Sequence, residues 1–138
     1  MRIKLTVVAK SVIVIFALSA CLYFGCGFDP CGNVELKTIN SSDGKRKAII
    51  FQRDCGATTG FSSQVSLLHA NDKLPREAGN TFIADRVDRE APAYPGGGPE
   101  VNLQWSSERE LIVKYDKRVR VFRSEQSVDG VRIRYEPQ

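Results

Sequence analysis

Side chains able to do chemistry are sparse in this sequence, and the densest group of them lies between Arg53 and Gln64. The stretch reads Arg53-Asp54-Cys55-Gly56-Ala57-Thr58-Thr59-Gly60-Phe61-Ser62-Ser63-Gln64. Asp54, Thr58, Thr59 and Ser62 could offer oxygens, and the glycines free backbone N–H groups, to a polar ligand. The same groups could equally hydrogen-bond one another as a hairpin loop. A small hydrolase or transferase could be drawn from this set only by adding His69, the sole histidine. His69 follows Leu67 and Leu68 and reads as a strand-end residue, and one imidazole cannot build a multi-histidine metal site. No Gly-x-Ser-x-Gly elbow occurs, so the serines lack the strained turn that exposes a hydrolase nucleophile. Gly96-Gly97-Gly98 is followed by Pro99, not by Gly-Lys-Ser/Thr, and is not a phosphate loop. The carboxylates Asp54 with Asp85, or Glu108 with Glu110, have no spacing that brings them together. The inventory points to no catalytic residue, no metal and no cofactor.

A second segment of interest is Arg86 to Pro99, fourteen residues without strand alternation. Loops of that length in a small domain are commonly functional or disordered. Tyr94, set between Pro92 and Pro95, is expected to stand exposed as a rigid aromatic that a partner could contact, or to sit in a plain linker.

The elements that carry these residues begin with an export signal. Met1 to Lys10 holds three positive charges, and Ser11 to Ala20 is an apolar run, the order found in secretory signals. It ends in Leu18-Ser19-Ala20-Cys21, which resembles the lipobox of bacterial lipoproteins. The resemblance implies cleavage before Cys21 and lipidation of its thiol, and two or three acyl chains make such an anchor effectively stable. Leu22-Tyr23-Phe24-Gly25-Cys26-Gly27-Phe28 departs from the small or polar residues usual after a lipobox. Leu5 to Gly25, with Lys10 as its one charge, is also long enough for an uncleaved membrane-spanning helix. Either anchor attaches the chain to a membrane by its N-terminus and leaves the rest on the extracytoplasmic side of the cell envelope. Disulfides are permissible there. With Cys21 lipidated, Cys31 and Cys55 form the expected bridge and Cys26 is left over in the tether, because Cys31 and Cys55 each precede a glycine and flank a strand-like run, and the Asp43-Gly44 turn folds those runs together; without lipidation the four cysteines permit three connectivities.

From Val34 onward apolar and polar residues alternate in short runs, the period of half-buried strands. The runs are Val34 to Ile39, Lys47 to Gln52, Gln64 to His69, Asn80 to Ala84, Val101 to Trp105, Leu111 to Tyr115, Val119 to Arg123 and Val131 to Tyr135. Asp43-Gly44 and Asp129-Gly130 supply the positive φ that tight reversals need. No apolar spacing of 3.6 persists for three turns. The expected class is all-β: about eight short, mostly antiparallel strands in a small sandwich or a curled meander. The expected organisation is a signal or anchor at 1–20, a tether at 21–33 and one β domain at 34–138. Ser42-Asp43-Gly44-Lys45 with Ala48 to Phe51 resembles one propeller blade, but a chain this short cannot close a propeller.

The Arg53–Gln64 stretch, with Gly79-Asn80-Thr81-Phe82-Ile83-Ala84 and Gly97-Gly98-Pro99-Glu100-Val101 after it, resembles segments of an uncharacterised family of small exported bacterial proteins. That resemblance spans most of Cys31 to Tyr135 and implies no activity. Charge narrows the partners. Of 20 basic residues, Arg2, Lys4 and Lys10 belong to the export segment, leaving 17 against 16 acidic ones. Such a balance lacks the concentrated positive field that nucleic-acid binding requires. Seven basic residues between Lys114 and Arg134 face three acidic ones. They read as the solvated faces of strands, with an anion or lipid-headgroup patch as the alternative. The expected function is a membrane-anchored envelope protein with a non-catalytic β domain that binds an envelope protein or polymer. The alternatives are the hydrolase or transferase drawn above and, by analogy of fold alone, an inhibitor or immunity lipoprotein.

Overall fold

The computed structural model of the chain describes residues 30–56 and 59–138; the anchor segment, Cys21, Cys26 and Thr58 lie outside them. Nine strands form: β1 (Gly32–Asn40), β2 (Arg46–Asp54), β3 (Ser62–His69), β4 (Phe82–Arg86), β5 (Val101–Ser107), β6 (Glu110–Tyr115), β7 (Val119–Ser124), β8 (Ser127–Val128) and β9 (Val131–Pro137). Eight fall on the alternating runs of the sequence. The ninth, β8, is two residues long, too short for alternation to show. No described residue is helical, so no described helix is long and apolar enough to cross a membrane.

The strands divide into a five-stranded sheet, β1-β2-β3-β4-β7, and a four-stranded sheet, β5-β6-β9-β8. All ladders are antiparallel except β6 with β9. Alternation turns Ala48, Ile50, Val65, Leu67, Phe82 and Ala84 of the first sheet toward Val101, Leu111, Val113, Val131 and Ile133 of the second, in one buried cluster. Of the two expected architectures, a single curled meander would leave no facing sheet; the protein is a β-sandwich. Phe82 is fully buried, with the Tyr115 and Tyr135 rings 5.0 and 5.8 Å away. Trp105 on β5 donates its indole N–H to the Ile39 carbonyl of β1 at 3.3 Å, a hydrogen bond between the sheets.

The opposite face of the first sheet is also closed. Ile49 and Phe51 point away from the sandwich by alternation yet are 1% and 0% exposed. The connection between β3 and β4 lies over them. Its carbonyls at Pro75 and Glu77 accept from the Asn33 amide, Arg76 O accepts from Arg53, and Gly79 N donates to Gln64 Oε1. The Asn80 side chain both accepts from Leu67 N and donates to Leu67 O, each at 2.9 Å, completing the β3 edge beyond the reach of β4.

Strand direction defines two poles. β1 begins beside Cys31 at the proximal pole, where the chain arrives from its N-terminus. Its nine residues, about 30 Å at a strand's rise, end at the distal pole. At the distal end Ala70 N donates to Lys45 O, and Arg46 reaches the Asp129 carbonyl at 2.6 Å. The β8–β9 hairpin there turns through Asp129 (φ 49°) and Gly130 (φ 76°), as the Asp-Gly pair leads one to expect.

Candidate functional site

The two stretches singled out in the sequence meet at the proximal pole. Cys31 and Cys55 are disulfide-bonded across the end of the β1–β2 ladder, next to the Gly32–Asp54 pair. Beyond the bridge, Asp54 Oδ1 accepts from Gly56 N at 2.9 Å, and the Thr59 hydroxyl donates to Gly56 O at 3.1 Å. Ser62 Oγ accepts from the Gln64 amide at 2.8 Å. These hydrogen bonds of Asp54, Thr59 and Ser62 are local to the stretch, the use that short hydroxyl and carboxylate side chains serve in turns. Asp54 and Thr59 are exposed; Ser62 is half-buried. Thr58 lies outside the described residues.

The segment from Arg86 to Pro99 is not an open linker. Ala93 and Pro99 form a β-bridge, Tyr94 N donates to Gly98 O, and Gly97 N donates to Tyr94 O, closing a small hairpin. Tyr94 was expected to be exposed, and this is corrected. Its ring is half-buried against the core, while its hydroxyl donates to Val101 O at 2.7 Å and accepts from Val101 N at 3.3 Å. Burial raises the phenol's pKa above its ordinary value. Apolar contact on a ring with both hydroxyl functions satisfied outweighs the surface preference of a loop tyrosine. The glycines are explained by close approach. A Cβ on Gly98 would stand 2.7 Å from Ser63 Oγ, and one on Gly96 would collide with the Gln52 side chain. Gln52 Nε2 and Ser63 Oγ are themselves buried without a hydrogen-bond partner among the described residues.

His69 does not join this pole. The register pairs Arg53 with Ser62 at one end of the β2–β3 ladder and Arg46 with His69 at the other, so Ser62 and His69 are about 23 Å apart along β3. No nucleophile–histidine pair forms between them. Two of the carboxylates noted in the sequence have other partners. Asp85 is bound to Arg120 at 2.6 Å across β4 and β7, and Glu110 accepts from the Ser106 hydroxyl at 2.5 Å.

The basic run from Lys114 to Arg134 is split between the two sheets, because β7 joins the first and β9 the second. Arg120 pairs with Asp85, Arg123 with Glu125, Lys114 and Arg134 with Glu136, and Arg132 loosely with Glu110. Arg118 holds Asp116 at 2.6 Å, and its hydrogen bonds lower the Asp116 pKa to about 2. The reading as solvated strand faces describes this arrangement.

A broad opening lies at the distal pole, on residues the sequence did not distinguish. The β5–β6 turn, β8 and the start of β9 enclose a cleft of about 540 Å³, with Ser107, Arg109, Gln126, Ser127 and Arg132 on its walls. Arg109 has no side-chain partner among the described residues. Arg132 is 79% exposed, with Glu110 Oε1 no nearer than 4.0 Å. On the other flank of the same turn, Ser42, Ser107, Glu108 and Arg109 line a second hollow of about 420 Å³. The neighbouring Asp43 is committed elsewhere: the Ser41 hydroxyl and the Lys45 amide hydrogen-bond it and lower its pKa.

No protein-family model, curated protein or solved structure matches this chain. The distal residues carried no local signal, since Arg109 and Arg132 become neighbours only when β6 and β9 pair in parallel.

Proposed function

We propose that the chain is a membrane-anchored protein of the cell envelope whose β-sandwich is a non-catalytic binding module, presenting its distal pole to an envelope protein or polymer. The observation that carries this reading is polar: the chain reaches the sandwich at Cys31, and the wide cleft opens at the other end. From Cys21 to Pro30 the backbone can span at most about 30 Å, so an anchor at Cys21 holds the proximal pole near the bilayer and turns the cleft outward. The commitment of Asp54, Thr59, Ser62 and Tyr94 to hydrogen bonds within their own loops favours binding over the hydrolase, as does the distance to His69.

The test is position-specific photo-crosslinking of the full chain in its native membrane. A photoreactive residue at Glu108 should give a discrete adduct with an envelope component, and one at Lys117, at the proximal pole, should give none. Adducts from Lys117 alone would reverse the orientation and sink the proposal.

A further inference from the structure

We infer that the distal cleft is a receptor for a glycan bearing oxyanion groups, with Arg109 and Arg132 gripping a phosphate or carboxylate and the flanking hollow seating the neighbouring sugar. The inference rests on the binding-module reading and names its ligand class. Arg109 in the β5–β6 turn and Arg132 on β9 both line one opening. A guanidinium presents its N–H donors as a planar fork that matches a carboxylate or phosphate with two parallel hydrogen bonds. The other wall groups, the Ser107 and Ser127 hydroxyls and the Gln126 amide, can all donate as well. The one acid in the cleft, Glu110, is occupied: its Oε2 accepts from Ser106 at 2.5 Å, and its Oε1 lies 4.0 Å from Arg132. At that distance, with Arg132 so exposed, the ion pair offers an incoming oxyanion little competition.

A polymer rather than a small anion fits the second hollow. Arg109 stands on the ridge between the two depressions and lines both. Beyond the ridge the positive charge is balanced: Glu108 and Ser42 stand beside Arg109 in place of Arg132, and a carboxylate beside a hydroxyl accepts hydrogen bonds from neutral sugar hydroxyls. Arg46, hydrogen-bonded to the Asp129 carbonyl at 2.6 Å, ties the β8–β9 hairpin to β2 and holds that side of the cleft in place. An alternation of charged and hydroxyl-rich units along one ligand satisfies both depressions.

The experiment uses the full chain in phosphatidylcholine nanodiscs, with fluorescence anisotropy of labelled poly(glycerol phosphate), polygalacturonate and uncharged dextran of matched length. Binding to one or both charged polymers is expected, and which one identifies the oxyanion; dextran should not bind. Arg109→Gln with Arg132→Gln should weaken binding about a hundredfold, and Arg109→Lys with Arg132→Lys about tenfold, since lysine keeps the charge and loses the fork. Lys117→Gln with Arg89→Gln removes the same charge elsewhere and should change affinity less than about twofold. Trp105 emission checks that each variant is folded. Equal losses in the two glutamine pairs, or lysine variants that bind like the parent, would overturn the inference by reducing it to bulk charge. Absence of binding to both polymers would also overturn it. In that event persisting distal crosslinks from Glu108 would leave the binding module standing with another ligand, and their absence would remove both.

Discussion

Opening the Cys31–Cys55 bridge should cost the folded state about 3 kcal/mol without altering its structure. The bond closes a loop with a sequence separation of 24, and the chain-entropy relation for a loop of that size gives about 3 kcal/mol at 25 °C. The effect is assigned to the unfolded chain because β1 keeps its other ties when the bond is gone. Its ladder with β2 runs from Gly32 to Asn40, Asn33 grips the Pro75 and Glu77 carbonyls, and Trp105 holds Ile39. Urea unfolding of the full chain in detergent micelles, with and without reductant, measures the difference, and Trp105, the only tryptophan, reports it. For a slope of about 1–3 kcal/mol per molar urea, the midpoint should fall by roughly 1–3 M. A domain of ordinary stability, about 5–15 kcal/mol, stays folded at the lower value. Cys31→Ala with Cys55→Ala should match the reduced protein. The reasoning fails if the midpoints coincide, or if both thiols of the unreduced native protein react freely with a thiol reagent. A shift of Trp105 emission on reduction in the absence of urea would show instead that the bond, and not the ladder, keeps β1 in place.

Gly98→Ala should destabilise the sandwich by about 1–3 kcal/mol by thermal or chemical unfolding, since its Cβ would press on Ser63 Oγ; combining it with Ser63→Ala should recover part of the loss, and simple additivity would refute the contact. Tyr94→Phe should cost about 1–3 kcal/mol by leaving Val101 N and O without their partner, with Glu108 crosslinking unchanged. Because burial raises the Tyr94 pKa, the tyrosine's contribution is intact below its ordinary value of 10.0 and declines as the pH rises beyond it, which an alkaline unfolding series with Tyr94→Phe as control reads. Asp116 has the opposite sign: with its pKa lowered from 3.8 to about 2, its pairing with Arg118 is intact above pH 3.8 and is lost as the pH falls toward 2. Carboxyl NMR should show that midpoint, and Arg118→Gln should return it toward 3.8. Cys21→Ser should abolish acyl labelling and leave an unprocessed precursor, whereas wild-type size with membrane attachment and no label in either form would identify a spanning helix as the anchor.

Period-two alternation is a local property, and it was enough to mark eight of the nine strands. Turn chemistry is local too: Asp43-Gly44 and Asp129-Gly130 announced two reversals, and counting outward from the first of these brought Cys31 to Cys55. Alternation does not say which sheet a strand enters. Val119-Arg120-Val121-Phe122-Arg123 and Val131-Arg132-Ile133-Arg134-Tyr135 carry the same pattern, yet β7 crosses to the first sheet and β9 returns beside β6 in parallel. That choice depends on which apolar faces close over Phe82, a sum over residues far apart in the chain. It disperses the basic run that looks continuous in one dimension and sets Arg109 beside Arg132. It buries Ile49 and Phe51 beneath a connection with no strand pattern and turns Tyr94 inward. The proximal loops were visible because their residue types are unusual. The distal cleft was not, because ordinary turn residues come to line one opening only when three distant segments are folded to the same end of the sandwich.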